Sequence, residues 1–438
     1  MVVNLEIPED LLKGYDIKDE SHLREIIEAG IRQTKIEEAI HSFEKGKTID
    51  EAAESAGVSP RCLQEMMLQT LARELKPSQQ DMKLVIFAGG TGTRFWPLSR
   101  KTFPKQFKKI FNDESTLQLA FDRIKKEFDI SNIYVSTNQN YIHLVEEQLT
   151  GLPADHIIGE PAKRNVGPSV GYILIRLRKE GHRGPVAILW ADHLMEHEDR
   201  FRNVLRKGKR LIQEKPQRLV FIGEKPRYPE SNLGWIHVGD EIEEGLYEFR
   251  EWYYRPPLEK CKKMFDSGEW YWNPGYFVVD LEFTLCLYKL YVPNAYRKLK
   301  EIEKNLGTPQ QEKTIKRIYL QFEPFTFDYV VQQVPPHYAV VLTTDLGWSD
   351  PGTLYAFKEA MIGLGEKNYT KGPVKELETT DSLIYNEEEG KLVATVGLDG
   401  MIVVNTPDAL IVVHKDNVLK VTKLVEELEK DNRFNKFV

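Results

Sequence analysis

The segment Ala88-Gly89-Gly90-Thr91-Gly92-Thr93-Arg94 follows directly on the apolar run Leu84-Val85-Ile86-Phe87. Glycine carries no Cβ, so such a loop can turn several backbone N–H groups toward one anion. Two fixed cations flank it: Arg94, and Lys105 within Phe103-Pro104-Lys105-Gln106-Phe107. A glycine loop between two cations suits the holding of a triphosphate and the stabilisation of departing pyrophosphate. The loop is not a Walker A sequence, because no Gly-Lys-Ser/Thr follows. Nor is it the dinucleotide fingerprint, because Phe95 stands where the third glycine belongs. Taken alone, the glycines are also compatible with a plain tight turn.

Two carboxylates extend the pattern. Asp192 lies in Trp190-Ala191-Asp192-His193 after an apolar strand, and Asp350 lies in Gly347-Trp348-Ser349-Asp350-Pro351-Gly352. A carboxylate suits Mg²⁺, which takes oxygen ligands and shares them with phosphates. Read singly, Asp192 could equally cap a helix and Asp350 a turn. A phosphate oxygen attacking the α-phosphorus in line needs no covalent intermediate. Positioning and charge neutralisation then do the catalysis, and no Ser, Cys or His nucleophile is expected. His193 is read as a structural neighbour.

Gly89 to Phe107 closely resembles the signature of mannose-1-phosphate guanylyltransferases, within the nucleotide-sugar pyrophosphorylases. Further segments resemble that family in order. Glu160-Pro161-Ala162-Lys163-Arg164-Asn165-Val166-Gly167-Pro168 is similar to its stretch beside the guanine, and Trp190–His193 to its P-A-D-H. Leu233-Gly234-Trp235-Ile236, Trp272-Asn273-Pro274-Gly275-Tyr276-Phe277 and Phe327-Asp328-Tyr329 are similar to its sugar-side segments. Gly347–Gly352 resembles its second metal segment, and Asn405-Thr406-Pro407-Asp408-Ala409-Leu410 a motif of its C-terminal region. The resemblance spans about residues 83–430.

It implies formation of GDP-mannose and pyrophosphate from GTP and α-D-mannose 1-phosphate. Arg94, Lys105, Asp192 and Arg255 would be catalytic. Gly89, Gly90, Thr91, Gly92, Thr93, Glu160, Arg164 and Asn165 would hold the nucleotide. Gly234, Asn273, Gly275 and Asp328 would hold the sugar, and Asp192 and Asp350 would bind Mg²⁺. The chain departs from the family at Trp252-Tyr253-Tyr254-Arg255-Pro256, where F-V-E-K-P is usual. Arg255 keeps the charge with a different geometry, and Tyr254 loses a carboxylate. The same reaction on another sugar 1-phosphate is therefore the alternative. The aromatics Trp252, Tyr253, Tyr254, Trp270, Tyr271 and Trp272 read either as a sugar-stacking wall or as ordinary packing. The chain stops at Val438 without the isomerase domain of longer family members, so no isomerase activity is expected.

These residues need elements to hold them. Apolar runs at 84–88, 133–136, 186–190 and 219–223 alternate with helical stretches such as 117–128 and 201–212. Buried strands alternating with helices predict an α/β fold with a mostly parallel sheet and helices on both faces. With the resemblance, this is a Rossmann-like nucleotidyltransferase mixed sheet over residues 81–365. Short β-like runs at 382–385, 392–396, 401–404 and 409–413, then a charged helix at 418–430, predict a β-rich C-terminal domain over 366–438. No sequence repeat is evident.

Residues 1–80 read as a separate helical module. A short strand is expected near Asn4, a helix capped by Ser21, and a capping box at Thr48-Ile49-Asp50-Glu51. A break at Gly57-Val58-Ser59-Pro60 gives a helix-turn-helix grammar. Lys76–Gln80 reads as a linker.

The chain has 438 residues and net charge −7. Residues 1–80 hold sixteen acidic and ten basic side chains, a net of −6, leaving −1 for the rest. An acidic head argues against nucleic acid as a partner, and against a ligand sensor with a DNA-binding head. It points to an interaction module, with homo-oligomerisation through either terminal module as one use. Cys62, Cys261 and Cys286 are far apart and form no C-x-x-C pair, which excludes a disulfide framework and points to small buried side chains in a cytoplasmic protein. No membrane span or secretory signal is expected.

Overall fold

The computed structural model describes residues 33–90, 92–111, 113–362 and 367–438. The expected N-terminal strand, the Ser21-capped helix and Thr91 lie outside the described residues. Residues up to Glu74 form one compact unit and Leu75–Val438 a second.

In the first unit the capping box is formed. Thr48 Oγ1 accepts the N–H of Glu51, and the Glu51 carboxylate accepts the N–H of Thr48, at the start of helix Ile49–Ala56. Gly57 ends that helix at φ 67°, and Ser59 caps the next, Pro60–Arg73, with Pro60 in its first turn. Ala52, Ala53, Leu63, Met67 and Leu68 are buried, so small and apolar positions on both helices make a local core.

In the second unit, ten strands among the described residues form one mixed sheet. They are β1 Lys83–Phe87, β2 Ile133–Asn138, β3 Ile157–Glu160, β4 Pro185–Trp190, β5 Leu219–Glu224, β6 Gly234–Glu243, β7 Leu246–Tyr254, β8 Trp270–Asn273, β9 Phe277–Asp280 and β10 Ala339–Thr344. The order is β10-β7-β6-β8-β5-β9-β4-β1-β2-β3, and β5 also pairs with β10. β3, β2, β1 and β4 are parallel, as the continuous apolar runs predict. The expectation of a mostly parallel sheet fails beyond β4. There β9 inserts antiparallel between β4 and β5, β6 pairs antiparallel with both β7 and β8, and, among the described residues, only β5 and β10 pair parallel.

Helices cover the sheet. Glu198–Glu214 lies over β9, where an added Cβ on Gly208 would come within 2.7 Å of Val278. Val166–Lys179 packs with Leu281–Tyr291 and Pro293–Asn305, and Gly171 there approaches Leu299 and Tyr288 as closely.

The C-terminal strands are β11 Tyr369–Lys371, β12 Val374–Leu377, β13 Leu383–Asn386, β14 Val393–Val396, β15 Met401–Asn405 and β16 Leu410–His414. β11, β13 and β15 are successive parallel neighbours, and β12 pairs parallel with β14. These are stacked coils, a structural repeat that the sequence does not announce. The coils are few, of unequal length, and share no motif. Their buried faces join Phe95, Trp96, Leu98, Ile110 and Phe111 in one core. Cys261 is buried, whereas Cys62 and Cys286 are only half-buried, which corrects the expectation for those two. Among the described residues, no helix is long and apolar enough to cross a membrane.

Candidate active site

The glycine loop leaves the C-terminal end of β1 and is tied down by its carbonyls. Gln106 Nε2 donates to Ala88 O (2.9 Å) and Gly90 O (2.8 Å), Thr137 Oγ1 donates to Ala88 O (2.9 Å), and Ser99 Oγ to Gly92 O (2.5 Å). Gly92 has φ 65°, and a Cβ there would sit 3.0 Å from the backbone N and side chain of Lys105. Only glycine lets the two segments approach this closely.

Lys105 begins a short 3-10 turn after Pro104. Its ammonium lies 2.9 Å from Asp192 Oδ2 and donates to Pro351 O at 3.4 Å. Burial alone would raise the Asp192 carboxyl, but Lys105 and His193 overcome it and hold the group at about 2. Asp350 reaches the same place through an antiparallel bridge. Leu194 N–H donates to Ser349 O (3.0 Å) and Ser349 N–H to Leu194 O (3.1 Å). A Cβ on Gly352 would stand 3.3 Å from both Asp350 carboxylate oxygens and 3.6 Å from Arg94 Nη1. Two cations and two carboxylates from four separate segments thus gather at one point. His193 is buried beside them, with Nδ1 3.1 Å from the Tyr276 hydroxyl and its ring edge-on to Trp348. Burial lowers its pKa against the pull of Asp192 and Asp350.

Two cavities meet there. The first, about 270 Å³, is lined by Gly89, Gly90, Lys163, Arg164, Asn165 and Asp192, among others. Glu160 forms part of its floor. The Glu160 carboxylate accepts from Ser136 (2.9 Å), Ser169 (2.5 Å) and Tyr319 (2.9 Å), and burial raises its pKa against those three hydroxyls. Asn165 precedes helix Val166–Lys179 at φ 62°. The Arg164 guanidinium is turned onto Leu320 O at 2.7 Å.

The second cavity, about 210 Å³, is lined by Gly234, Trp252, Tyr254, Asn273, Gly275 and Asp328, together with Asp192 and Trp190. Gly275, at φ 77°, brings its carbonyl to Trp190 Nε1 at 2.8 Å, and Asn273 Oδ1 accepts the Gly275 N–H at 2.9 Å. Burial raises the Asp328 carboxyl. Arg255 is not among the lining residues. It sits exposed at φ 51°, its guanidinium over the Tyr254 ring and donating to Asn232 O at 3.2 Å. Of the six aromatics read as a possible wall, Trp252 and Tyr254 line the cavity, while Trp272 is buried in the core.

Residues 83–367 match the nucleotidyl transferase family model, and residues 372–428 match the MannoseP isomerase/GMP-like beta-helix domain. The chain belongs to the nucleotidyl transferase family, in its mannose-1-phosphate guanylyltransferase branch. A putative mannose-1-phosphate guanylyltransferase of Vibrio cholerae is 31% identical over 356 residues, 80% of this chain and 75% of the relative. A mannose-1-phosphate guanylyltransferase of Escherichia coli K12 is 31% identical over 368 residues, 81% and 75% of the two chains. The fold is shared with a solved structure from Thermus thermophilus described as a mannose-1-phosphate geranyltransferase, at TM-score 0.71 and 22% identity over 80% of this chain and all of that one.

In this transferase, Gln106, Ser169 and Tyr319 belong to the site beyond the residues singled out from sequence. Gln106 stood inside the recognised segment, and a buried amide after a glycine loop was the available signal. Tyr319 arrives from helix Gln311–Tyr319, 159 residues from Glu160, and carries no local signal.

Proposed function

We propose that the enzyme transfers the guanylyl group of GTP to α-D-mannose 1-phosphate, releasing pyrophosphate. The observation that carries this is that Asp192 borders both cavities beside Lys105, whose ammonium also reaches the Pro351 carbonyl next to Asp350. A base and ribose in the first cavity and a sugar in the second would bring their phosphates together at that shared wall. A phosphate oxygen of the sugar phosphate attacks the α-phosphorus. The bond from the α-phosphorus to the bridging oxygen breaks, and its electron pair leaves on pyrophosphate.

Arg94 and Lys105 neutralise the charge that grows on the leaving group, and the glycine loop binds its oxygens. Asp192, Asp350 and the Pro351 carbonyl offer only oxygen donors, which fits Mg²⁺. Among the described residues no cluster of three or more His, Cys, Asp or Glu side chains is arranged to hold a metal, so phosphates and water would complete its shell. When bound, Mg²⁺ supplies positive charge to the reacting phosphates. Lys105 must then yield its present contact with Asp192 and turn to the triphosphate.

A second reading keeps the chemistry and changes the sugar. It is favoured by Tyr254, Trp252 and Trp190 lining the sugar cavity while Arg255 faces away. The test is pyrophosphate release with Mg²⁺ across four nucleoside triphosphates and a panel of sugar 1-phosphates. Release with GTP and mannose 1-phosphate alone is expected. Release with a different sugar moves the substrate, and release with none from folded protein overturns the enzyme assignment.

A further inference from the structure

Glu224 is a fully buried carboxylate that takes no part in the chemistry above. It ends β5 at the centre of the sheet, beside Thr344 of β10 and Trp272 of β8. Its two oxygens accept the N–H groups of Leu346 (2.8 Å) and Trp348 (3.1 Å), in the loop that follows β10 and carries Asp350. Arg227 closes the arrangement. One guanidinium nitrogen lies 3.1 Å from Glu224 Oε1, another donates to Trp348 O at 2.6 Å, and the group stacks over the Trp272 ring. Burial pushes the Glu224 carboxyl up to about 7 against the pull of those two N–H groups and Arg227, so the site retains a costly group.

The other side of the loop is stitched to the segment after Asp192. Glu196 and His197 donate to Leu346 O at 3.1 and 2.9 Å, and Gly347, at φ 61°, lies against Glu196. Trp348 also packs edge-on to His193, next to Asp192. The loop's backbone polar groups are therefore held from both sides, two residues before Asp350.

We infer that Glu224 and Arg227 are positioning residues, a latch that fixes the loop so that Asp350 meets Asp192 at the spacing the reaction needs. This rests on the role proposed for Asp350 above. Groups that orient a metal-binding carboxylate typically influence metal affinity or activity by about 10- to 100-fold. Arg227 is 42% exposed at its side chain, so its loss leaves no cavity in the core.

The test uses the full chain with Arg227→Ala, Arg227→Lys and Glu224→Gln. Amide hydrogen exchange is followed over residues 345–350, and the Mg²⁺ concentration for half-maximal pyrophosphate release is measured. Arg227→Ala should speed exchange in that segment by about tenfold, with β4 unchanged, since local opening is what the latch opposes. It should raise the magnesium midpoint by about tenfold. Arg227→Lys should recover only part of both, because an ammonium lacks the two-pronged geometry. If Glu224→Gln does not fold, Arg227→Ala carries the test alone. Unchanged exchange in Arg227→Ala overturns the latch, as does faster exchange with an unchanged midpoint. Absence of turnover in the parent chain would instead overturn the proposed function, while exchange still reports on the latch.

Discussion

Asp192 stands where the two cavities meet, so in the proposed reaction it serves both substrates at once. Its ionised form is secured by Lys105 at 2.9 Å, and Asp350 faces the same point from another loop. Asp192→Asn and Asp350→Asn should each lower kcat by about a hundredfold or more, the scale of losing a preorganised charge at the transition state. Steady-state pyrophosphate release checks this, and near-parental kcat in either variant removes that residue from the reacting centre. On the sugar side the two adjacent residues are placed differently. Tyr254 lines the cavity and Arg255 does not. Tyr254→Ala should therefore raise the KM for sugar phosphate by about three- to tenfold, the range of a lost stacking contact. Arg255→Ala should change it less. The opposite ranking would mean that Arg255 swings into the cavity when substrate binds.

Helix Leu281–Tyr291 illustrates what an element needs in order to hold a site. Asp280 ends β9 and caps this helix, its carboxylate accepting the N–H of Phe283 at 2.9 Å. Burial raises the Asp280 carboxyl from 3.8 to about 7, against the pull of the Phe283 and Glu282 N–H groups. Between those values the folded chain keeps a proton that the unfolded chain has released. The residue's contribution to stability is therefore greatest at low pH and falls as pH rises to about 7. Asp280→Asn keeps the capping acceptor and removes the titration. Its stability relative to the parent should improve by roughly 1–3 kcal/mol between pH 5 and pH 8, at about 1.4 kcal/mol per pKa unit. Urea midpoints at the two pH values measure it, and an equal difference at both would refute the raised carboxyl.

Elements also decide what could be read in advance. β1 and β4 were legible because strands buried on both faces are continuous apolar runs. The capping box at Thr48 was legible because both partners lie within four residues. β8 and β9 were not, since Trp270–Asn273 and Phe277–Asp280 are four residues each and interrupted by Pro274-Gly275. The site divides the same way. Arg94, Lys105, Asp192 and Asp350 sit in recognisable loops, whereas Tyr319 reaches Glu160 across 159 residues and Glu224 reaches the Leu346 and Trp348 N–H groups across more than a hundred.

At the scale of the second unit, the C-terminal coils and the phosphate-side segment are one structure. Phe95, next to Arg94, shares a core with Leu383, Ile402 and Ile411, and its ring meets Phe357 edge-on. Trp96 Nε1 donates to Phe437 O at 2.7 Å. Arg100 pairs with Asp408 at 2.7 Å, Lys108 with Glu387 at 2.8 Å, and Lys101 with Glu429 at 2.9 Å. The C-terminal segment around Asp408 thus acts as an anchor for Arg100, a few residues beyond the glycine loop. A shared core makes the two regions lose packing together, so Leu75–Val438 should unfold in one transition. Ile402→Ala, at a fully buried position in β15, should cost about 2–5 kcal/mol, as buried Ile truncations do. It should lower the whole calorimetric transition of this unit and weaken nucleoside triphosphate binding with it, because Arg94 loses the support beneath Phe95. A separate early transition confined to the C-terminal coils, with nucleoside triphosphate binding intact, would show that the coils fold on their own and that the loop does not depend on them.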